Sequence, residues 1–186
     1  MNKQGKRCQR KTVIGTGLCW QHLRDLKHLR IQEEKLAPDL YEKGLMVEDP
    51  TKGDHAVIFK EGDIIMPYDG DYVDDKTLNQ RYWNLTAPYG LYNKPGTEDA
   101  ALNRSIGAVA NGAFTESKMN ARFGKSGKKG HHPQMVLKAT KKIKNHQFIR
   151  AYYCGDYLFP NQPDEDGETY DHITINMHKK PPLAFR

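Results

Sequence analysis

The sequence predicts a mostly β domain of the α+β class, made of several small sheets and preceded by one amphipathic helix. Two observations predict it. Short β-prone runs bounded by Gly, Pro and Asp recur through the middle of the chain. The 186 residues also include 16 Gly and 10 Pro and are 37% hydrophobic against 28% charged, which suits a modest core with many turns. The same composition excludes a coiled coil and a collagen-like fibre, and no apolar run reaches the ~20 residues of a membrane-spanning helix. The chain divides into an N-terminal Cys/His module with its helix (1–36), a β-rich body (39–158) and a tail (159–186) rich in Pro, Asp and His.

The N-terminus, Met1 to Lys11, is cationic and lacks the apolar segment of a secretory signal, so an intracellular location is expected. Cys8, Cys19 and Cys154 make an odd count, which argues against a disulfide framework. Cys19 and His22 stand three residues apart at the start of the helix, so one turn aims both at the same point. Cys8 can reach that point across a Gly-containing loop. Two thiolates and an imidazole are three of the four ligands of a tetrahedral zinc site. Such a site would be structural, holding together a segment too small for its own core. The fourth ligand is open between His28 and another side chain, with free thiols buried against Trp20 as the metal-free alternative.

Leu23, Leu26, Leu29 and Leu36 then follow near helical spacing among charged residues, which predicts one amphipathic helix ending before Pro38. Beyond it the period shortens. Strands are expected at 44–48, 55–59, 63–68 and 89–92, a brief helix at 76–83, and further strands at 119–123, 133–140 and 148–153.

Charge is segregated along the chain. The net charge of +6 combines +7 in residues 1–30, +9 in residues 118–144 and −10 elsewhere. Both basic segments are candidates for contact with nucleic acid or an acidic partner. Solvated lysine-rich turns are the plainer explanation of the same counts.

Several blocks carry a resemblance. The stretch Gly5 to His22 ends in Cys19-Trp20-Gln21-His22 and is similar to short Cys/His modules of large DNA viruses and some eukaryotes, which carry a further upstream Cys. In the body, Gly44-Leu45-Met46-Val47 is followed by Gly62-Asp-Ile-Ile-Met-Pro-Tyr68-Asp-Gly70. Next come Glu98-Asp99-Ala100, then Val109-Ala110-Asn111-Gly112, then Asn120-Ala121. Last are Ala139-Thr140-Lys-Lys-Ile143 and Tyr152-Tyr153-Cys154-Gly155-Asp156-Tyr157. In this order the three blocks resemble the SET-domain protein lysine methyltransferases, over roughly 120 of the 186 residues. Here Gly112-Ala113-Phe114 replaces the family's His-Ser-Cys after the Asn, and Cys154 replaces a Gly.

The resemblance implies a SET-like fold with a threaded C-terminal segment, and methyl transfer from S-adenosylmethionine to a lysine of a protein such as a histone. It implies Tyr153 as the catalytic phenol, with Tyr152 as competitor through a one-residue slip. Gly44, Leu45, Asn111, Gly112 and Phe159 would hold the cofactor. Tyr89, Tyr92, Ala151 and Tyr157 would line the lysine channel, Ala151 standing where the family limits the methylation state. Asn120 would fix the threaded loop. A histone substrate would place the protein in a nucleus, the host's if the chain is viral. The replaced residues after Asn111 sustain another reading, a SET-like adaptor that binds chromatin or nucleic acid without transfer. A His-metal nuclease fits less well, since 133–140 reads as a strand. The acidic Asp164-Glu-Asp166-Gly167 lacks the twelfth-position Glu of a calcium loop.

Overall fold

Helix α1 (Trp20–Lys27) is shorter than the leucine spacing predicts, because the chain leaves the helix at His28. His28 takes a left-handed φ of 56°, and its N–H donates to the Arg24 and Leu23 carbonyls, closing the helix end. Leu29–Ala37 is then strand β1, so the expected helix through Leu36 is corrected. Leu23 is buried while Leu26 is 61% exposed, so the four leucines do not form one helical stripe. Residues 30–35 would tolerate a helix by propensity. Pairing with the next strand overrides that weak preference.

The computed structural model describes residues 8, 10–11, 17–38, 40–83, 87, 89–101, 105–113, 116–126 and 134–153. After β1 come β2 (Leu40–Val47), β3 (Val57–Phe59), β4 (Ile64–Pro67), β5 (Asp71–Val73) and α2 (Asp75–Tyr82). Then follow β6 (Gly90–Asn93), β7 (Gly96–Asp99), a 3-10 turn (Ile106–Val109), β8 (Asn111–Gly112), a second 3-10 turn (Glu116–Lys118), β9 (Ala121–Ser126), β10 (Gln134–Ala139), β11 (Ile143–Lys144) and β12 (Phe148–Tyr152). The fold is mostly β with several small sheets, and the described residues contain two α-helices. Neither helix is long and apolar enough to cross a membrane.

The largest sheet runs β1-β2-β12-β9-β10-β4, with β8 paired to β12. β1 and β2 form a long antiparallel hairpin, Leu29 facing Val47 and Glu34 facing Glu42. The expected boundary between residues 36 and 39 therefore falls at the turn of this hairpin. β12 pairs antiparallel with β2 through Phe148 and Ile149, then parallel with β8 through Arg150 and Ala151, and parallel with β9 through Ala151 and Tyr152. One five-residue strand thus ties the N-terminal hairpin to the middle of the chain. Its alternation buries Ile149 and Ala151 and turns Phe148, Arg150 and Tyr152 to the other face.

The core lies on the Ile149–Ala151 face, where Leu23, Leu45, Val47, Ile106, Leu137 and Ile143 are buried together. Val109 closes the first 3-10 turn and Ala110 follows it, extended, before Asn111. Gly107 is packed so tightly that a methyl there would lie 2.5 Å from the Pro67 carbonyl oxygen. The turn therefore lies directly against the end of β4.

A separate sheet, β5-β7-β6, carries α2. Buried Asp99 accepts from Arg81 at 2.8 Å and from the Tyr82 hydroxyl at 2.9 Å, so the helix is anchored by its last turn. Burial, followed by the hydrogen bond to Asp99, pushes the Tyr82 phenol above its ordinary value.

Candidate functional site

The first cluster grows from the start of α1. Cys19 is its N-cap residue, buried, with extended backbone angles. One turn on, His22 brings its Nδ1 to 3.6 Å from the Cys19 Sγ. The Cys8 Sγ comes within 3.7 Å of the Cys19 Sγ. The donor atoms of these three residues lie within 4.8 Å of one another, so the group could hold a metal ion. The backbone N–H of His22 holds the Cys19 thiol below its ordinary value, against the opposing effect of burial, with help from Cys8 and the Gln21 N–H. A thiol so placed loses its proton more readily, as a metal ligand must. His28 does not join the cluster. It sits at the far end of an eight-residue helix, with Nδ1 3.3 Å from the Asp49 carboxylate.

The second cluster is aromatic. Tyr153 follows the end of β12, and its hydroxyl donates to the Ala110 carbonyl at 2.8 Å. Its ring meets Phe123 edge-on, with centroids 5.7 Å apart at 85°. Phe123 meets Tyr68 in the same manner at 5.2 Å and 75°. Tyr89 packs against the same group, and its carbonyl accepts from the Tyr68 hydroxyl at 2.8 Å. Tyr153, Phe123, Tyr68 and Tyr89 thus make one continuous wall. Phe123 and Tyr68 were not singled out in the sequence. The period of two from Ala121 was the available signal for Phe123, since it puts both residues on the core face.

The third cluster joins two residues expected to serve one role. Asn111 lies next to Gly44, and between them stands Glu34, a residue that sequence reasoning missed. The Asn111 Nδ2 donates to Glu34 at 3.0 Å, and the Arg150 Nε donates to the other Glu34 oxygen at 2.6 Å. Glu34 is buried to 1% exposure, so both donors are needed to balance a charge removed from water. A methyl added at Gly44 would stand 2.5 Å from the Glu34 Oε2 and 2.9 Å from the Asn111 Nδ2. Only a glycine leaves room there.

The remaining expected positions scatter. Leu45 and Ala151 are fully buried core residues. Gly112 pairs with Ala151 in the parallel ladder. Tyr92, on the outer strand β6, is 62% exposed and lies outside the aromatic wall. Tyr152 points away from the core, so of the two tyrosines it is Tyr153 that meets Phe123. Tyr157 and Phe159 lie outside the described residues. Asn120 ties the segment before β9 to β12: its amide donates to the Phe148 carbonyl at 2.8 Å and accepts from the Arg150 N–H at 2.9 Å. A shallow cavity of about 340 Å³ is lined by Trp20, Leu23, Arg30 and Ile31 and therefore lies beside α1, not at Tyr153.

Comparison of the chain with protein-family models finds no match, and comparison with the curated proteins finds none either.

Proposed function

We propose that the chain transfers a methyl group from S-adenosylmethionine to a lysine side chain of a basic protein tail, such as that of a histone, within a SET-like fold. The observation that carries the reading is the junction of Tyr153 with Ala110. It places the phenol directly before the Asn111–Gly112 pair that the resemblance assigns to the cofactor. The position of β12, paired with β2 and with both β8 and β9, supports the threaded arrangement that the family would require.

S-adenosylmethionine supplies an electrophilic methyl on a sulfonium centre. The residues beside Gly44 that would meet its amino-acid end, Glu34 and Asn111, are bonded to each other, so the cofactor would have to displace the Asn111 amide from Glu34. Asn111 on β8 is the register partner of Arg150, while Tyr153 follows Ala151 by two residues and so lies on the other face; cofactor and lysine would therefore approach from opposite sides of the sheet. The lysine must arrive uncharged although its ordinary pKa is about 10.4. An apolar wall of Phe123 and Tyr68 favours loss of that proton by removing water. The Tyr153 hydroxyl, fixed by its bond to Ala110, offers an oxygen at a defined position for weak C–H···O contacts to the moving methyl.

A tetrahedral zinc ion with ordinary bond lengths sets its ligand sulfurs about 3.8 Å apart and sulfur from nitrogen about 3.6 Å. The separations of Cys8 from Cys19 and of Cys19 from His22 agree with those edges. We infer a structural zinc held by Cys8, Cys19 and His22.

A second reading keeps the fold without the transfer, as an adaptor for chromatin or nucleic acid. One observation favours it: the Asn111 amide and the space beside Gly44 are already taken up by Glu34. Incubation with labelled S-adenosylmethionine and core histones separates the two. Label on a histone lysine, lost in Tyr153→Phe, supports transfer. Absence of label together with no heat of cofactor binding in calorimetry favours the adaptor.

A further inference from the structure

We propose that the outer face of β12, β9 and β10 binds single-stranded nucleic acid, with Tyr152 as a stacking platform and Arg122 and Lys138 as phosphate contacts. The proposal does not depend on the methyl-transfer reading. Tyr152 is the register partner of Arg122, and Arg122 is the register partner of Lys138. Partners in adjacent strands point to the same face, so the three side chains form one row across three strands. With strands about 4.8 Å apart the row is about 10 Å long. Their neighbours Ala151, Ala121 and Ala139 are buried in the core, which fixes the row on the opposite, outer face. Tyr152 is 51% exposed there.

The charge on this face lacks a counterpart. Like charges directly opposite each other destabilise a sheet, yet Arg122 faces Lys138 and residues 118–144 contain no acid. Among the described residues no carboxylate pairs with Arg122, Lys125, Lys138, Lys141 or Lys142, whereas Arg24 and Arg81 each pair with two and Arg30 and Arg150 each with one. Lys138 and Lys141 donate to the carbonyls of Lys125 and Ser117, which hold the ammonium groups in place and leave their charge unneutralised. The nearby Asp63 carboxylate accepts from the Lys60 N–H. A polyanion would supply the missing charge. Of the polyanions, one with flat bases also uses an exposed ring set in the same row as the cations.

The test is fluorescence anisotropy of the full chain with a labelled thymidine oligonucleotide of about 15 nucleotides, a span suited to one small binding face. Tyr152→Ala is expected to weaken binding about tenfold, with Tyr152→Phe close to the parent. Reversing both cations, Arg122→Glu with Lys138→Glu, is expected to weaken it further and to lower the salt slope by about 1.4, or about 0.7 per phosphate contact. Lys76→Glu on α2, off this sheet, serves as the control and leaves affinity unchanged. Unchanged affinity in the Tyr152 and Arg122 variants overturns the proposal. So does tighter binding to polyglutamate, which would mean an acidic protein, or to phosphatidylserine vesicles, which would mean a membrane surface.

Discussion

The Glu34 carboxylate grips the Arg150 guanidinium at 2.6 Å across 116 residues of chain, and in doing so it clamps the N-terminal hairpin to β12. Removing one partner of a buried pair leaves the other charge uncompensated. Glu34→Ala is therefore expected to cost about 3 kcal/mol, the low end for such a loss because Arg150 keeps some water contact. Gly44→Ala should cost about 1–3 kcal/mol by overpacking against the same carboxylate. The double variant should lose less than the two costs added, since the new methyl fills the space Glu34 vacates. Urea unfolding of the four proteins checks this. Strict additivity would mean that the two residues do not share that space.

Asn120 serves both chain segments at once. Asn120→Ala strands the Arg150 N–H and the Phe148 carbonyl, each of which then goes without its side-chain partner. At roughly 1–3 kcal/mol for each unsatisfied buried group, the expected loss is about 2–4 kcal/mol with some relief from solvent. Hydrogen exchange at Arg150 is the direct measurement. Protection there should fall before that of β10.

The Cys/His cluster predicts one bound zinc per chain. His22→Ala should reduce zinc affinity by more than the ~10–100-fold seen when only a supporting partner of a ligand is lost. Chelation should lower the melting temperature of the parent and leave that of Cys19→Ser little changed. Because the Cys19 thiol lies below its ordinary value, binding should persist to lower pH than for an unperturbed thiol. Metal analysis after dialysis across pH 5–8 provides the readout, and a chain that never retains zinc would remove the assignment.

Asp49 gives a pH signature. The Thr51 hydroxyl, then the Thr51 N–H, hold its carboxyl below the ordinary value. The unfolded chain therefore takes up the proton first as pH falls. The stabilisation is complete above the ordinary Asp value of about 3.9 and disappears as pH drops through the lower folded value. Asp49→Asn should flatten the acid limb of the stability curve below about pH 4. Thermal melts from pH 3 to 6 test it.

Much of the strand pattern was legible because it is local. Ile64–Pro67 and Gln134–Ala139 are short apolar runs and Phe148–Tyr152 alternates with a period of two, each with its bounding turn residues within a short window. β1 was misread for a local reason as well. Four leucines happened to fall at helical spacing, and what ends the helix is one left-handed residue, His28, which is not the glycine that usually marks such a stop. The short strand β8 and the 3-10 turn before it carry too few residues to show any period.

By itself the sequence determined the short β elements, the segregation of charge into basic segments, and the one-turn spacing of Cys19 and His22. All of these rest on interactions between near neighbours. Only the tertiary structure decided that Glu34 stands between Gly44 and Asn111, that Tyr153 leans on Phe123 and Tyr68, and that Tyr152, Arg122 and Lys138 share a row. Asn111 reaches Glu34 across 77 residues. A contact at that separation is set by which strands pair and in what register, and neither leaves a mark on the residues nearby in the chain.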